Sequence, residues 1–462
     1  MKQLPVLVLL TLLTGAPIAA PVPAVSPSGI PAFSEAMLSP QFWIRLAPTP
    51  DAVLLTPAQT AARRAAAYGP GGGFIDLARL PATLTRAQVV AWLKAAESSP
   101  VKLTVDDQGQ PVTEATLRQL RDNTAPERIT DTAPARYGLT VRRTPMRTLP
   151  SHRRFFATAG ERDYESLTAG VMFPGETVLV AHTSADGHWL LVMTTQGPAW
   201  VHAGDVATGS AQAVFDYAKR TPGLVVTGDH VHTVHTPEAP EVSELDLDMG
   251  VALPLADVAP DEPVNGAGTY ASHVVELPVR QADGRLAFRP ALVRRASDTA
   301  PGYLPVTRAN ILRQAFKLLG ERYGWGHQFN ARDCSGLVSE VYRTIGLLLQ
   351  HSSALQGTST AFRHRRFTEA DTHAERVRAL QAAEIGDLVV VPGHVLMIVG
   401  HVDGAPYVIQ DVPYAVFDDP ATGARRRTML NQVAVTPLLP LYADDTKLYV
   451  DAMTSLVHVT TP

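Results

Sequence analysis

The run Asp333-Cys334-Ser335-Gly336-Leu337-Val338, continued by Val341, Tyr342 and Ile345, places apolar residues at the 3.6-residue period behind a thiol. A helix is therefore expected to start at Cys334, with Asp333 as its N-cap and Gly346 as a possible stop. That position gives the thiol two chemical advantages. The positive end of the helix dipole favours a thiolate, so a lowered pKa is expected. The uncapped N–H groups of the first turn can also hold the oxyanion formed when sulfur attacks a carbonyl. Cys334 is the only cysteine in 462 residues, so it has no partner for an internal disulfide.

A thiol nucleophile needs a base. His394 follows the turn Pro392-Gly393 and opens an apolar strand, from whose edge its ring can face the helix end. Gln410 closes the next strand and can orient the imidazole. A cysteine, a histidine and a polar orienter thus fall on successive elements. Each alone has an ordinary structural explanation, a small buried hydrophobe for the cysteine and a strand-edge histidine beside a glycine.

Working outward, Ile311, Leu312, Ala315, Phe316 and Leu319 follow the cap residue Thr307 and precede Gly320, which predicts a second helix. Asp387–Val391, His394–Val399 and Tyr407–Ile409 are apolar runs of strand length. Helices followed by an antiparallel sheet make an α+β domain. Upstream the period changes to two: Tyr137–Val141, Thr177–Ala181, Trp189–Met193 and Ala199–His202 are short strands, with a hairpin signal at Asp186-Gly187. A second such set, Gly223–Thr227, His273–Val279 and Arg285–Phe288, carries another at Asp283-Gly284 and is interrupted by the acidic, proline-rich stretch Pro237–Asp261. Before these, Pro57-Ala58-Gln59-Thr60 and Thr85-Arg86-Ala87-Gln88 open two helices.

The length suggests roughly three domains, and 45% apolar with 18% charged residues is a globular profile. A formal net charge of −4 argues against a nucleic-acid partner. The first residues, Met1-Lys2-Gln3, an apolar core from Leu4 to Leu13 and small residues at Ala16, Ala19 and Ala20, fit a secretory signal removed near Ala20 or Ala24. No segment offers about twenty uninterrupted apolar residues, so a soluble exported protein without stable membrane insertion is expected. His230, His232 and His235 lack a complete ligand pattern and read as an exposed strand or loop, so no metal is expected. No glycine-rich phosphate loop is present, and no cofactor is expected. Arg363-His364-Arg365-Arg366 and Arg425-Arg426-Arg427 read as solvated surface.

The segment Asp333–Val338, the Gly393-His394-Val395 turn and strand, and Tyr323-Gly324-Trp325-Gly326 closely resemble the NlpC-type cysteine peptidases of bacterial cell wall. Tyr137-Gly138-Leu139-Thr140-Val141-Arg142, Pro174-Gly175-Glu176 and Asp186-Gly187-His188-Trp189 resemble the bacterial SH3-like domains that precede the catalytic domain in one subgroup. Phe42-Trp43 and the helices after Leu54 resemble that subgroup's N-terminal stabilising region. The resemblance implies a multidomain chain: a signal and leader over 1–24, a helical stabilising region over 25–128, SH3-like barrels over 129–210 and 211–300, a papain-like α+β peptidase domain over 301–442 and a C-terminal tail over 443–462.

It also implies a role for each site residue. Cys334 and His394 would be nucleophile and base, with Gln410 as third catalytic residue. Tyr323 would donate a hydrogen bond near the sulfur, and Asp333, Ser335 and Ser353 would line the substrate pocket. The implied reaction is hydrolysis of the γ-D-glutamyl-L-diamino acid bond of peptidoglycan stem peptides through a thioester, with a preference for a free N-terminal L-alanine. Two departures stand out: the third position, usually histidine, is Gln410, with Asp411 beside it as a substitute, and Gln350-His351 replaces the usual proline-arginine pair. An inactive wall-binding protein, and an acyltransferase or amidase on the same fold, are the alternatives.

Overall fold

The computed structural model describes residues 29–98, 102–259 and 261–461. The expected signal segment, 1–24, lies outside them. The chain is an α+β, multidomain protein built as expected around the cysteine helix, Cys334–Arg343, whose cap Asp333 accepts from the Gly336 N–H at 2.8 Å. A second helix, Arg308–Lys317, is capped by Thr307 and packs beside it in one apolar core.

This core lies against an antiparallel sheet whose strands run in the order 363–366, 455–458, 388–391, 394–402, 405–418 and 425–437. Alternate residues divide its faces. Val395, Met397, Val399, Tyr407 and Ile409 face the cysteine helix, whereas Leu396, Ile398 and Val408 face a second core under the helix His373–Gln381. The expected tail, 443–462, is corrected here: Ser455–His458 pairs with both 363–366 and 388–391. It is an inner strand, because alternating Leu456 and Val457 supply both cores. The domain boundary expected at 442 therefore does not exist.

The first β unit is a seven-stranded barrel-like sheet in the order 206–209, 136–140, 177–183, 189–194, 197–202, 144–147 and 168–172. Every strand expected there is present, and Asp186 caps its turn by accepting from the Ser184 hydroxyl and the His188 N–H. Residues 211–300 form smaller sheets, among them the long hairpin Ser272–Arg280 with Leu286–Arg294, around a core shared with Val171 and Phe173 of the first unit. Thr56 with Gln59 and Thr85 with Gln88 form capping boxes that start the N-terminal helices Pro57–Ala67 and Arg86–Ala96.

The N-terminal region is fastened by Trp43 to the sheet that packs on the cysteine helix. The Trp43 ring is fully buried, packs at a 45° tilt against Tyr407 with ring centroids 5.3 Å apart, and donates its indole N–H to the Met37 carbonyl at 2.9 Å. Gly400 permits the approach, since a Cβ there would stand 2.9 Å from the ring. Among the described residues no helix is long and apolar enough to cross a membrane. Trp43→Ala is expected to destabilise the sheet domain by about 3–5 kcal/mol. Urea unfolding followed by circular dichroism checks this, with a shift below 1 kcal/mol as the contrary result.

Candidate active site

Cys334 begins its helix with only 7% of its surface exposed. Its sulfur lies close to the backbone N–H groups of Val395 and Ser335, against the start of the strand that carries His394. The half-buried imidazole of His394 is held on the other side, where its Nε2 bonds Gln410 Oε1 at 2.9 Å. Gln410 is itself buried and donates through Nε2 to the Thr436 hydroxyl at 2.8 Å, which turns its carbonyl oxygen toward the ring. An amide oxygen only accepts, so the proton of neutral His394 sits on Nε2 and Nδ1 keeps the free lone pair. This is the tautomer a base needs.

Asp411 cannot take that role. Gln410 and Asp411 are adjacent in one strand and point to opposite faces, and it is Gln410 that meets His394. The Asp411 carboxyl is fully buried with neither oxygen hydrogen-bonded. Burial, reinforced by Asp333 and Glu321, pushes it up to about 9, so it is neutral at pH 7.

The expectation of a lowered thiol pKa is also corrected. Burial raises Cys334 well above the ordinary thiol range, and the Asp333 carboxylate adds to this, outweighing the nearby N–H groups of Val395 and Ser335. Burial lowers His394 at the same time, against the opposing effects of Gln410 and Asp333. The resting pair is therefore a neutral thiol and a neutral imidazole.

Tyr323 is buried and its hydroxyl meets that of Tyr164, their rings 5.6 Å apart. Asp333 caps the helix with Oδ1, which also accepts from the Ser335 hydroxyl at 2.8 Å, while Oδ2 accepts from the Gly326 N–H at 3.0 Å. Ser335 is buried and its carbonyl accepts from Gln356 Nε2 at 3.1 Å. Ser353 opens the short helix Ser353–Gln356, which that bond ties to the cysteine helix.

Two residues escaped the sequence reading. Tyr164 comes from the first β unit, its ring 5.3 Å from Trp325, and burial, with Cys334 adding to it, pushes its hydroxyl up to about 12. Tyr449 comes from the supposed tail and lies 6.0 Å from the His394 ring; burial and then Cys334 raise its pKa. Neither has a local sequence signal, because both reach the thiol from distant parts of the chain.

The loop between Tyr323 and Arg332 has four residues in the left-handed region, Gly326, His327, Phe329 and Asn330. The first β unit clamps it: Arg143 donates to the His327 carbonyl at 2.9 Å, Arg154 to Gln328 Oε1 at 2.8 Å, and Gln328 Nε2 to the Thr168 hydroxyl at 2.8 Å. Gly336 lets the His327 ring approach the helix, since a Cβ there would stand 2.6 Å away.

Residues 320–405 match the model of the NlpC/P60 family, and residues 153–202 match that of an SH3 domain of SH3b1 type. The chain carries an NlpC/P60 domain and a bacterial SH3 domain. The NlpC/P60 match takes in Cys334 and His394 and ends before Gln410. The chain is similar in structure to an NlpC/P60 endopeptidase from Photobacterium damselae subsp. piscicida, with 14% identity and a TM-score of 0.71 over 91% of this chain and 97% of that one. It also matches an NlpC/P60 family protein from Bacillus cereus ATCC 10987, with 16% identity and a TM-score of 0.41 over 64% of this chain and 83% of that one. The comparison with curated proteins gives no match. The first likeness extends the shared fold beyond the two matched domains.

Because the thiol is held neutral, iodoacetamide alkylation of Cys334 is expected to be slower at pH 7 than that of a free cysteine peptide, and to rise only above about pH 9. Mass spectrometry of the labelled protein across pH reads this. An alkylation midpoint below pH 7 would contradict it.

Proposed function

We propose that the protein is an exported cysteine endopeptidase that hydrolyses the γ-D-glutamyl-L-diamino acid bond of peptidoglycan stem peptides. The observation that carries the proposal is a thiol at a helix start, against the strand that opens with His394, whose Nε2 bonds Gln410 Oε1. The NlpC/P60 match over 320–405 supports the peptidase class and the wall-peptide substrate, and the bacterial SH3 match supports a location at the cell wall.

In the first step the thiol sulfur attacks the γ-carbonyl carbon while its proton moves to His394 Nδ1. The tetrahedral oxyanion is held by the backbone N–H of Cys334 at the start of the helix. His394 returns the proton to the departing amine, and the C–N bond breaks to leave a thioester. Water, deprotonated by the same nitrogen, then releases the acid and restores the thiol. The imidazolium formed in between keeps its Nε2–H on Gln410, which offers a dipole rather than a charge. Tyr164 of the first β unit meets Tyr323 near the thiol, and the Asp333 carboxylate offers an anion to a substrate amine. Together these support cleavage near a free N-terminal L-alanine.

Incubation with L-Ala-γ-D-Glu-diamino acid peptide, followed by chromatography, tests the reading. Release of L-Ala-D-Glu by the wild type and not by Cys334→Ala is expected. Sedimentation with wall but no turnover points to a wall-binding protein, and transfer to an added amine points to an acyltransferase; either outcome overturns the peptidase reading. In the same assay Gln410→Ala is expected to lower kcat by about 10²-fold with KM little changed, because the ring loses its fixed tautomer. An unchanged kcat would remove Gln410 from the machinery.

A further inference from the structure

The strand His230–His232 pairs antiparallel with Asp246–Asp248, placing His230 opposite Asp248 and His232 opposite Asp246. Residues two apart in a strand share a face, so one side of this hairpin carries two imidazoles and two carboxylates. The sequence alone left these histidines without ligand partners, because the aspartates are on the other strand.

His230 Nδ1 lies 3.1 Å from Asp246 Oδ1 and 4.0 Å from Asp248 Oδ1, and the three atoms lie within 4.8 Å of one another. Every other polar atom of these three side chains has an outside partner. His230 Nε2 donates to the Asn330 carbonyl at 3.0 Å, Asn330 Nδ2 donates to Asp246 Oδ2 at 2.5 Å, and Arg143 Nε donates to Asp248 Oδ2 at 3.0 Å. The remaining Nδ1 and two Oδ1 atoms converge.

Asp248 decides what fills the space between them. It is fully buried, and its Oδ1 has no hydrogen-bond partner. A proton on His230 Nδ1 would satisfy Asp246 at 3.1 Å but leave Asp248 Oδ1, 4.0 Å away, with nothing. A metal ion about 2.0–2.2 Å from each donor suits both separations, and a histidine whose second N–H is held by a carbonyl is the usual supported ligand. Arg143 Nε meets Asp248 only through Oδ2, so the buried Oδ1 is left facing His230 across the gap.

We propose that His230 Nδ1, Asp246 Oδ1 and Asp248 Oδ1 bind one divalent first-row transition-metal ion, with water completing its coordination on the open side. One imidazole with two carboxylates suits zinc, and the surrounding bonds fix their geometry. The ion would act structurally. Through Asn330 it would fasten the hairpin to the left-handed loop that runs from Tyr323 to the cysteine helix.

The test uses the full chain carrying Cys334→Ala, so that the thiol cannot bind metal. Zinc is titrated into the chelator-stripped protein by calorimetry, and the thermal midpoint is read with and without zinc. One equivalent is expected, with a raised midpoint. His230→Ala and, separately, Asp246→Asn are each expected to weaken binding by on the order of 100-fold or more and to abolish the rise. Should either variant fail to fold, as judged by circular dichroism, the cobalt-loaded parent decides: visible absorption of a His/carboxylate-bound ion supports the site. The absence of zinc binding and of that absorption overturns it, as does equal zinc binding by both variants.

Discussion

A fully buried arginine holds the pieces around the thiol in place. Arg332 donates to Glu340 at 2.6 Å, to Glu321 at 2.5 Å and to the Asp229 carbonyl at 2.7 Å, joining the cysteine helix, the segment before the loop and the second β unit at one guanidinium. The first carboxylate lies on the helix that begins with Cys334, and its other oxygen accepts from His327 Nε2 at 3.0 Å. Against the cost of burial, Arg332, helped by His327 and Arg343, holds Glu340 ionised far below the usual carboxylate range, so the pair stays charged without water. Such a pair contributes little net stability against an apolar alternative, yet removing one partner strands the other. Its value here is positional: the chain can enter the helix at Asp333 only along the path that Arg332 fixes.

The protonation state of the thiol is decided by magnitude. A helix N-terminus contributes up to about 2 kcal/mol to a nearby anion, which is roughly 1.5 pKa units. Full burial moves a group by up to about 3–5 units in the other direction. The Asp333 cap strengthens that direction, since the carboxylate that starts the helix also repels a thiolate beside it. Proton transfer to His394 therefore belongs to the attack itself rather than to the resting protein, and the fixed tautomer of His394 becomes the feature that makes attack possible.

Much of this was legible from local signals. The cysteine helix, its Asp333 cap, the Thr307-capped helix, the strand bearing His394 and the Asp186-Gly187 hairpin each follow from residues adjacent in sequence, and Gln410 was found one strand away. What escaped depends on contacts distant in sequence. Ser455–His458 has no strand neighbour nearby, because its partners are 363–366 and 388–391. Tyr164 and Tyr449 are ordinary tyrosines until the fold delivers them to the thiol. Local reasoning about the helix dipole likewise could not anticipate how completely Cys334 is covered. The basic run at Arg425–Arg427 shows the converse, since its bland reading fits the pairing of those residues with Asp418, Asp419 and Asp445.

The central claim is a neutral Cys334–His394 pair with the imidazole proton on Nε2, and nitrogen NMR of the His394 ring in the full chain reads it directly. At pH 7 the expected spectrum has a protonated Nε2 and a bare Nδ1, with conversion to imidazolium only below the ordinary histidine range. A doubly protonated ring at pH 7, or a proton on Nδ1, would contradict it.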